Sequence, residues 1–316
     1  MTAHDPAASA TTTDPDQRLS DLHHWLVQTL AMDVRSIEPA SSDASFRRYF
    51  RIRHGGGSLI AMDAPPARED SRPFIEIAAR LRGIGLNAPA VLEADLEQGY
   101  LLLSDLGDQR YLDALDSETV ERLYLDALAA LERLQVHGPR AGLPDYDKPL
   151  LLREMQLFPD WLLERHLGLA LDPGQRAMLE QTFEMLAEAA LEQPRVCVHR
   201  DYHSRNLMVT AADNPGVLDF QDAVLGPITY DLVSLLRDCY IAWPRAQVEA
   251  WALGYLQRPQ IRALVGEATS QAWLRWFDLM GVQRHLKASG IFARLWHRDG
   301  KPGYLGDVPR TLQYIV

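Results

Sequence analysis

Runs of alternating apolar and polar residues occupy the first third of the chain, and glycine or acidic residues separate them. Such runs predict β-strands, and the segments that show them are 34–39, 49–53, 58–62, 91–92 and 100–103. Over 19–32 and 71–84 the apolar residues instead recur every three or four positions, which predicts helices. His54-Gly55-Gly56-Gly57 is predicted to form a tight hairpin turn between the second and third strands, and Glu93 to Gly99 an acidic turn between the last two. The predicted order is therefore one helix followed by β-β-β-α-β-β.

Beyond Asp108 the periodicity is almost wholly helical. Helices are predicted over 117–136, from Asp172 onwards, and over 229–240, 246–256 and 271–296, with a strand-like segment at 216–220. Asp172 and Gln175 stand at the two positions of a capping box, with Pro173 in the first turn between them. The second part of the chain is thus expected to be a helical body with short strands at one place.

The order of elements indicates an α+β fold with two lobes, like that of the protein kinases. We predict a disordered tail over 1–18, a small β-rich N-lobe over 19–105 that covers a nucleotide, and a larger, mainly helical C-lobe over 106–316 that carries catalysis and substrate binding. A hinge is expected where the strand-rich part becomes helical. Kinases bind adenine at such a hinge, so we predict nucleotide contacts from Ser104, Asp105 and Leu106.

Composition excludes several classes of function. With 43 acidic and 32 basic residues among 316, the net charge of −11 disfavours nucleic-acid binding, which needs a basic surface. The two cysteines, Cys197 and Cys239, give no disulfide framework, and no apolar run is long enough to span a bilayer. We therefore expect a cytoplasmic, monomeric protein without a nucleic-acid or membrane partner.

The most informative motif is His199-Arg200-Asp201-Tyr202-His203-Ser204-Arg205-Asn206, which is followed by Leu218-Asp219-Phe220. Phosphoryl transfer needs a carboxylate that orients and deprotonates the attacking hydroxyl, and oxygen ligands that hold magnesium on the nucleotide phosphates. Asp201 can supply the base, and Asn206 and Asp219 can supply the ligands. The motif therefore predicts a kinase.

The same segment allows one rival interpretation. His199, Asp201 and His203 alternate, as the ligands of a metallohydrolase would. That interpretation leaves Asn206 and Asp219 without a role, whereas the kinase interpretation uses both. A chance occurrence of the motif in an ordinary loop is the remaining alternative.

Phosphate contacts are expected from the loop between the first two strands. Ser42, Ser45, Arg47 and Arg48 lie there and offer hydroxyl and guanidinium donors, although the loop has no glycine. The third strand lacks the lysine that kinases place there, and Met62 stands near its position. In the next helix, Glu76 is either the partner of a strand arginine or an exposed carboxylate.

Candidate substrate residues combine aromatic faces with charged groups. Arg153, Glu154 and Trp161 lie in one segment and are of the types that bind sugars, although core packing is the alternative for such aromatics. His203 and Asp222 are carried by the catalytic segments themselves. Asp231, at the start of the following helix, is predicted to anchor the catalytic loop rather than to react.

Several strings resemble the aminoglycoside phosphotransferase family. They include Asp43-Ala44-Ser45-Phe46-Arg47-Arg48-Tyr49-Phe50-Arg51, Leu218-Asp219-Phe220-Gln221-Asp222-Ala223 and Gln283-Arg284-His285-Leu286-Lys287, besides the catalytic motif. The similarity extends over residues 43–316. Within the family the chain is most similar to the kinases of bacterial cell-wall recycling that phosphorylate the anomeric hydroxyl of amino sugars.

The resemblance implies a reaction and two cofactors. ATP, with Mg²⁺ bound by Asn206 and Asp219, would donate its γ-phosphate to the C1 hydroxyl of N-acetylmuramate or N-acetylglucosamine, and Asp201 would act as the base. An antibiotic-modifying or other small-molecule phosphotransferase would share this mechanism. A non-catalytic pseudokinase is a second alternative, because the strand lysine is missing.

Overall fold

The computed structural model describes residues 15–42 and 46–315, and these residues form two compact units. The first unit contains the described residues up to Ile75 together with Ala90–Asp105, and the second contains Glu76–Pro89 and the chain from Leu106 onwards. Residues 1–14 of the predicted tail and Ser45 lie outside the described residues. The helix that follows the third strand contributes residues to both units.

The first unit has the predicted order of elements. Helix α1 (Pro15–His24) continues as a π-helical turn (Trp25–Thr29), and the strands and helix that follow are β1 (Val34–Ser42), β2 (Arg48–His54), β3 (Gly57–Asp63), α2 (Arg72–Gly83), β4 (Val91–Asp95) and β5 (Tyr100–Ser104). Two boundaries differ from prediction. Residues 15–18 are helical rather than part of a tail, and β4 extends into the segment expected to be an acidic turn.

The strands form one antiparallel sheet in the order β1-β2-β3-β5-β4. One face of the sheet packs against α1 and its π-helical turn, and the buried residues of this core are Leu22, Trp25, Leu26, Phe50, Ile52, Ala61, Tyr100 and Leu102. Alternate strand residues point to this face because the side-chain period of a strand is two. The burial of these side chains is the main favourable term for the unit.

A tight hairpin joins β2 to β3, as predicted from the three consecutive glycines. His54 pairs with Gly57, so that Gly55 and Gly56 form the turn. Gly57 has a φ of 133°, a backbone angle that residues with a Cβ rarely adopt. The hairpin sets the register that places Arg48 opposite Asp63.

The second unit is mainly helical, and its described elements follow in chain order. They are α3 (Tyr111–Ala114), α4 (Val120–His137), α5 (Lys148–Met155), a π-helical segment (Phe158–His166), α6 (Pro173–Leu191), β6 (Arg195–Val198), β7 (Leu207–Met208), β8 (Gly216–Val217), β9 (Val224–Pro227), α7 (Tyr230–Leu236), α8 (Arg245–Leu256), α9 (Pro259–Val265), α10 (Ser270–Asp299), a 3₁₀ turn (Pro302–Asp307) and α11 (Val308–Gln313).

Local capping explains where one of the longer helices begins. The Asp172 side chain accepts the backbone N–H of Gln175 at 2.9 Å, and the Gln175 side chain accepts the N–H of Asp172 at 3.0 Å. The predicted capping box is therefore confirmed.

Helix α10 is the longest described helix of the unit, and it packs against α5, α6, α7 and the π-helical segment Phe158–His166. Within the described ranges, no helix combines the length and apolar character that crossing a bilayer requires. A small β-rich unit and a larger, mainly helical unit confirm the predicted α+β class.

Candidate active site

The catalytic loop joins β6 to β7 and is held by two buried carboxylates. Asp231 accepts the backbone N–H of His199 at 2.7 Å and that of Arg200 at 3.0 Å. Asp238 accepts the backbone N–H of Ser204 at 2.9 Å. Asp231 and Asp238 are both fully buried, and the predicted anchoring role of Asp231 is confirmed.

The Asn206 side chain links the loop to the segment of Asp219. The Asn206 Nδ2 group donates to the main-chain oxygen of Asp201 at 3.0 Å and lies 3.3 Å from Oδ2 of Asp219. The backbone N–H of Leu218 donates to the carbonyl of Asn206 at 2.9 Å, which ties the segment of Asp219 to the loop. The structure thus brings Asp201, Asn206 and Asp219 together.

Backbone conformation shapes both catalytic segments. Arg200 has a φ of 78° and Asp219 a φ of 61°, values that a residue with a Cβ adopts only when its surroundings enforce them. The left-handed residue at 219 explains one difference from the sequence prediction. Strand β8 ends at Val217 instead of continuing to Phe220, so Asp219 lies in a turn.

Glu154 lies at the centre of a buried ionic network. Its carboxylate pairs with the Arg200 guanidinium and with Nζ of Lys287, the latter at 3.1 Å, and it accepts the hydroxyl of Tyr146. The Lys287 Nζ also donates to the hydroxyl of Tyr230 at 2.9 Å. Because Arg200 precedes Asp201, this network is connected to the proposed base through one peptide bond.

The electrostatic surroundings of Asp201 favour its charged form. Burial alone would raise the pKa of the Asp201 carboxyl. The positive charges of Lys287, Arg284 and Arg200, with a contribution from His203, lower this pKa below its usual value. Asp201 is therefore deprotonated at neutral pH, as a proton acceptor must be.

Burial shifts the pKa of two residues that position the loop. It lowers the pKa of His199 to about 4, so the imidazole is neutral, and Nδ1 accepts the backbone N–H of Asp201 at 3.3 Å. It also raises the pKa of Asp231 to about 7, against the opposing effect of the two backbone hydrogen bonds. Both residues therefore position the loop.

The predicted substrate residues occupy different environments. Trp161 is half-buried beside the cluster of Leu162 and Phe292, with the Arg165 guanidinium 5.1 Å from its ring centre. His203 is buried, and its ring lies 5.2 Å from that of Tyr240.

Arg153, Asp222 and Glu154 differ in exposure. The first two are exposed, and the carbonyl of Asp222 accepts Nη1 of Arg200 at 3.4 Å. Glu154 is 6% exposed and is engaged by Arg200, Lys287 and Tyr146, so its carboxylate is already occupied.

The two arginines that were predicted to bind phosphate form ion pairs with carboxylates of the first unit. Arg47 pairs with Glu69 at 3.0 Å, and Nε of Arg48 donates to the fully buried Asp63 at 2.9 Å. The neighbouring Ser42 ends β1. Met62 is fully buried in β3, on the strand where a lysine was expected.

The predicted hinge residues have contacts within their own units. The Ser104 hydroxyl accepts a hydrogen bond from the backbone N–H of Ala90 at 2.8 Å. The Asp105 carboxylate accepts hydrogen bonds from Nε and Nη2 of Arg51 at 2.7 and 3.1 Å. Leu106 belongs to the second unit. Glu76 is largely exposed and pairs with Arg80 at 2.6 Å, which favours the exposed alternative of the sequence prediction.

A divalent cation fits the donors at one point of the site. Mg²⁺ prefers oxygen ligands and takes only one or two carboxylates from protein, with phosphates and water completing its shell. Asn206 and Asp219 lie side by side, and because Nδ2 makes the hydrogen bonds of Asn206, its amide oxygen is the remaining ligand atom. In the described ranges 15–42 and 46–315, no three His, Cys, Asp or Glu side chains are grouped as metal ligands.

Sequence reasoning missed Lys287 and Arg284 as site residues. Both lie on α10, more than eighty positions after Asp201, and both lower the pKa of that carboxyl. The signal was the string Gln283-Arg284-His285-Leu286-Lys287, which supported the family resemblance but was given no role. Polar residues at successive positions in a helix of the core are unusual unless they are paired or functional.

Comparisons with curated proteins identify close relatives. The chain is 48% identical over 310 residues to the N-acetylmuramate/N-acetylglucosamine kinase of Pseudomonas putida, covering 95% of this chain and 91% of the relative. The same name is borne by a Pseudomonas aeruginosa protein, 49% identical over 313 residues with the same coverage. A Neisseria meningitidis protein of that name is 42% identical over 304 residues, covering 95% and 90% of the two chains.

Solved structures share the fold at low sequence identity. Choline kinase LicA from Streptococcus pneumoniae superposes with a TM-score of 0.66 at 11% identity, covering 94% of this chain and 98% of that chain. The GDP complex of an aminoglycoside 2'-phosphotransferase has a TM-score of 0.64 at 16% identity, with the same coverage. These likenesses confirm the predicted kinase-like fold. The model of the phosphotransferase enzyme family matches residues 36–276, so the chain belongs to that family.

Proposed function

We propose that this phosphotransferase transfers the γ-phosphoryl group of ATP to the anomeric C1 hydroxyl of N-acetylmuramate, N-acetylglucosamine or both. The observation that carries the proposal is the convergence of Asp201, Asn206 and Asp219 on one anchored loop. The names of relatives that are 42–49% identical over almost the whole chain support the choice of substrate.

In this reaction the Asp201 carboxylate accepts the proton of the C1 hydroxyl. The C1 oxygen forms a bond to the γ-phosphorus, the bond from that phosphorus to the bridging oxygen breaks, and ADP leaves with the electron pair. Mg²⁺ held by Asn206 and Asp219 supplies charge neutralisation on the phosphates when it is bound. The product is a sugar 1-phosphate.

The remaining predicted residues are assigned to the two ligands. Ser104, Asp105 and Leu106 are proposed to contact the nucleotide base, and Ser42, Ser45, Arg47 and Arg48 its phosphates. For the two arginines this requires exchange of a carboxylate partner for phosphate. The sugar is assigned to the residues around Asp201, with Trp161, His203, Arg153 and Asp222 as direct contacts. Glu154 acts on it through Arg200 and Lys287.

The proposed setting is peptidoglycan recycling in the cytoplasm, since N-acetylmuramate is a cell-wall sugar and both cysteines are free thiols.

A substrate panel tests the proposal. ADP formation by the purified protein is measured with ATP, Mg²⁺ and either N-acetylmuramate, N-acetylglucosamine or kanamycin. We expect turnover with at least one of the two sugars and a product that no longer reacts as a reducing sugar, because C1 is blocked. Methyl glycosides, which lack the C1 hydroxyl, should be inert. Turnover of kanamycin alone would contradict the proposal.

Two variants separate catalysis from folding. Asp201→Asn keeps the size of the side chain but cannot accept the proton, so we expect turnover to fall by about 10²- to 10⁴-fold. Asp213→Asn, in the exposed loop between β7 and β8, is the matched control and should leave turnover unchanged. If Asp201→Asn retains full activity, the assigned base is incorrect.

A further inference from the structure

Helix α10 carries three cationic side chains along one side. Arg284, Lys287 and Arg294 are separated by three and seven residues, which places them on the same part of the helix surface. Lys287 lies 3.1 Å from Glu154, which also pairs with Arg200, the residue before Asp201, so its end of the row lies beside the catalytic loop. Arg294 is two turns further on, about 10 Å along the helix axis.

Arg294 differs from Lys287 in how it is paired. Among the residues that the structure describes, no carboxylate forms an ion pair with it, and its buried Nε atom has no hydrogen-bond partner. The nearby Asp299 is engaged by Arg298, whose Nε and Nη2 donate to its two oxygens at 2.7 and 2.9 Å. A guanidinium that is partly removed from water without a partner is costly, so a role in ligand binding would explain its presence.

Arg284, at the other end of the same row, also has an unpartnered Nε atom among the described residues. It is 5% exposed, and its bond to protein runs from Nη1 to the sulfur of Cys239 at 3.5 Å. A thiol is a weak acceptor for a cation. The row therefore contains two guanidinium groups with unpartnered Nε atoms, those of Arg284 and Arg294, and Arg284 is more than nine-tenths buried. Lys287 lies between them in the sequence.

Apolar and aromatic side chains pack against the same helix. The half-buried side chains of Trp161, Tyr240, Ile291 and Tyr304 pack against one apolar cluster that includes Phe292 of the same helix. The imidazole of His203 lies against the Tyr240 ring. Small-molecule sites usually combine such apolar and aromatic walls with a few polar groups that fix the ligand's orientation. Here the polar groups with unused donors are cationic.

We propose that Arg294 recognises a carboxylate on the sugar substrate, with Arg284 adding positive potential, and that it selects N-acetylmuramate over neutral amino sugars. The inference rests on the proposed function. N-acetylmuramate carries a lactyl carboxylate on O3, whereas N-acetylglucosamine has a hydroxyl there. Arginine binds carboxylates through two parallel N–H groups, which gives both affinity and orientation. Its distance along α10 from Lys287 separates this recognised group from the C1 hydroxyl that reacts.

The test compares kcat/KM for the two sugars in four proteins: wild type, Arg294→Gln, Arg294→Lys and Arg275→Gln. A charge-assisted hydrogen bond is lost in Arg294→Gln, so we expect its kcat/KM for N-acetylmuramate to fall about 10- to 100-fold, mainly through KM. Its kcat/KM for N-acetylglucosamine should change by less than about two-fold, a tolerance chosen well below the loss expected for one hydrogen bond. Arg294→Lys keeps the charge but not the two-pronged geometry and should fall between. Arg275→Gln, on the same helix but exposed and paired with Glu192 at 3.1 Å, is the control and should change neither value.

A second measurement varies the substrate and leaves the protein intact. When the lactyl carboxylate is converted to a carboxamide, wild type should lose the same factor in kcat/KM, and Arg294→Gln should lose nothing more. The proposal is overturned if wild type has the same kcat/KM for the acid and the amide, or if it does not phosphorylate N-acetylmuramate. It is also overturned if Arg294→Gln lowers kcat/KM for both sugars by the same factor. If wild type phosphorylates none of the sugars, the proposed function is wrong as well as this inference.

Discussion

The backbone N–H of His199 donates to the Asp231 carboxylate over 2.7 Å, from one buried residue to another. Asp231 is the second residue of helix α7, so this bond fixes the start of the catalytic loop to a helix of the core. The other oxygen of the same carboxylate holds the next residue, Arg200. The proposed base, Asp201, is therefore positioned by a residue thirty positions away in the sequence that does not take part in the reaction.

Replacing Asp231 tests this anchor. Asp231→Ala leaves two buried N–H groups without acceptors, and we expect the free energy of unfolding to fall by about 2–5 kcal/mol, with a large loss of kcat. Asp231→Asn keeps one acceptor and should lie between. Denaturant unfolding and steady-state kinetics on the same preparations measure both effects. Full kcat in a folded Asp231→Ala protein would show that the loop needs no anchor.

Lys287 should control the pH dependence of the reaction. Its charge lowers the pKa of Asp201, so replacing Lys287 with methionine should raise that pKa. The base would then become protonated at higher pH, and the acid limb of the kcat/KM profile should move towards neutral pH. Lys148→Met, at a partly exposed lysine of α5, is the control. An unshifted acid limb in Lys287→Met would show that the charge of Lys287 does not set the pKa of the base.

Glu154 should contribute mainly to stability. Glu154→Gln leaves the buried charges of Arg200 and Lys287 without their carboxylate, and breaking one partner of a buried ion pair costs about 3–5 kcal/mol. The matched change Glu249→Gln breaks the exposed pair with Arg245 and should leave the unfolding free energy unchanged within error. Equal losses of unfolding free energy in the two variants would mean that the buried network of Glu154 does not stabilise the protein.

Acid should destabilise the protein through His199. Burial lowers its pKa from 6.5 to about 4, so the stabilising effect of the neutral ring is complete above pH 6.5 and is lost as pH falls towards 4. The loss from this one group reaches about 3 kcal/mol over that range. His199→Gln should flatten the dependence of the unfolding free energy on pH between 6.5 and 5. His23→Gln, at an exposed position of α1, should keep the wild-type slope.

Local features of the sequence predicted much of this architecture. Strand alternation gave β2 and β3 to within one or two residues, three glycines gave their hairpin, and Asp172 gave the start of α6. Each of these depends on neighbours in the sequence, because backbone geometry and capping act over a few residues. The spacing from Asp201 to Asn206 is equally local, so the motif alone brought the proposed base and ligand together.

Contacts between distant residues could not be predicted in the same way. Glu154 and Lys287 are separated by more than a hundred positions, and their pairing follows from the packing of α10 on α5. The sequence presented Glu154 as a sugar ligand because an isolated carboxylate gives no sign of its partner. Nor did the sequence of the loop between the first two strands show that Arg48 pairs with the buried Asp63. Helix register and the π-helical turn after His24 also depend on tertiary packing, which overrides local propensity.

Close packing at Gly290 gives a last prediction. A Cβ added there would lie 2.7 Å from the backbone nitrogen of Phe158 and nearer still to the Leu157 carbonyl, so α10 meets the π-helical segment through this glycine. Gly290→Ala must separate the two elements, and we expect it to lower the unfolding free energy by about 1–3 kcal/mol or more. Because that segment carries Trp161, KM for the sugar should also rise. Gly254→Ala, on the exposed side of α8 with no atom within 4 Å of the added Cβ, should instead stabilise by about 0.5–1 kcal/mol. Opposite signs for the same substitution in two helices would show that the approach of α10, and not glycine's flexibility, is what position 290 requires.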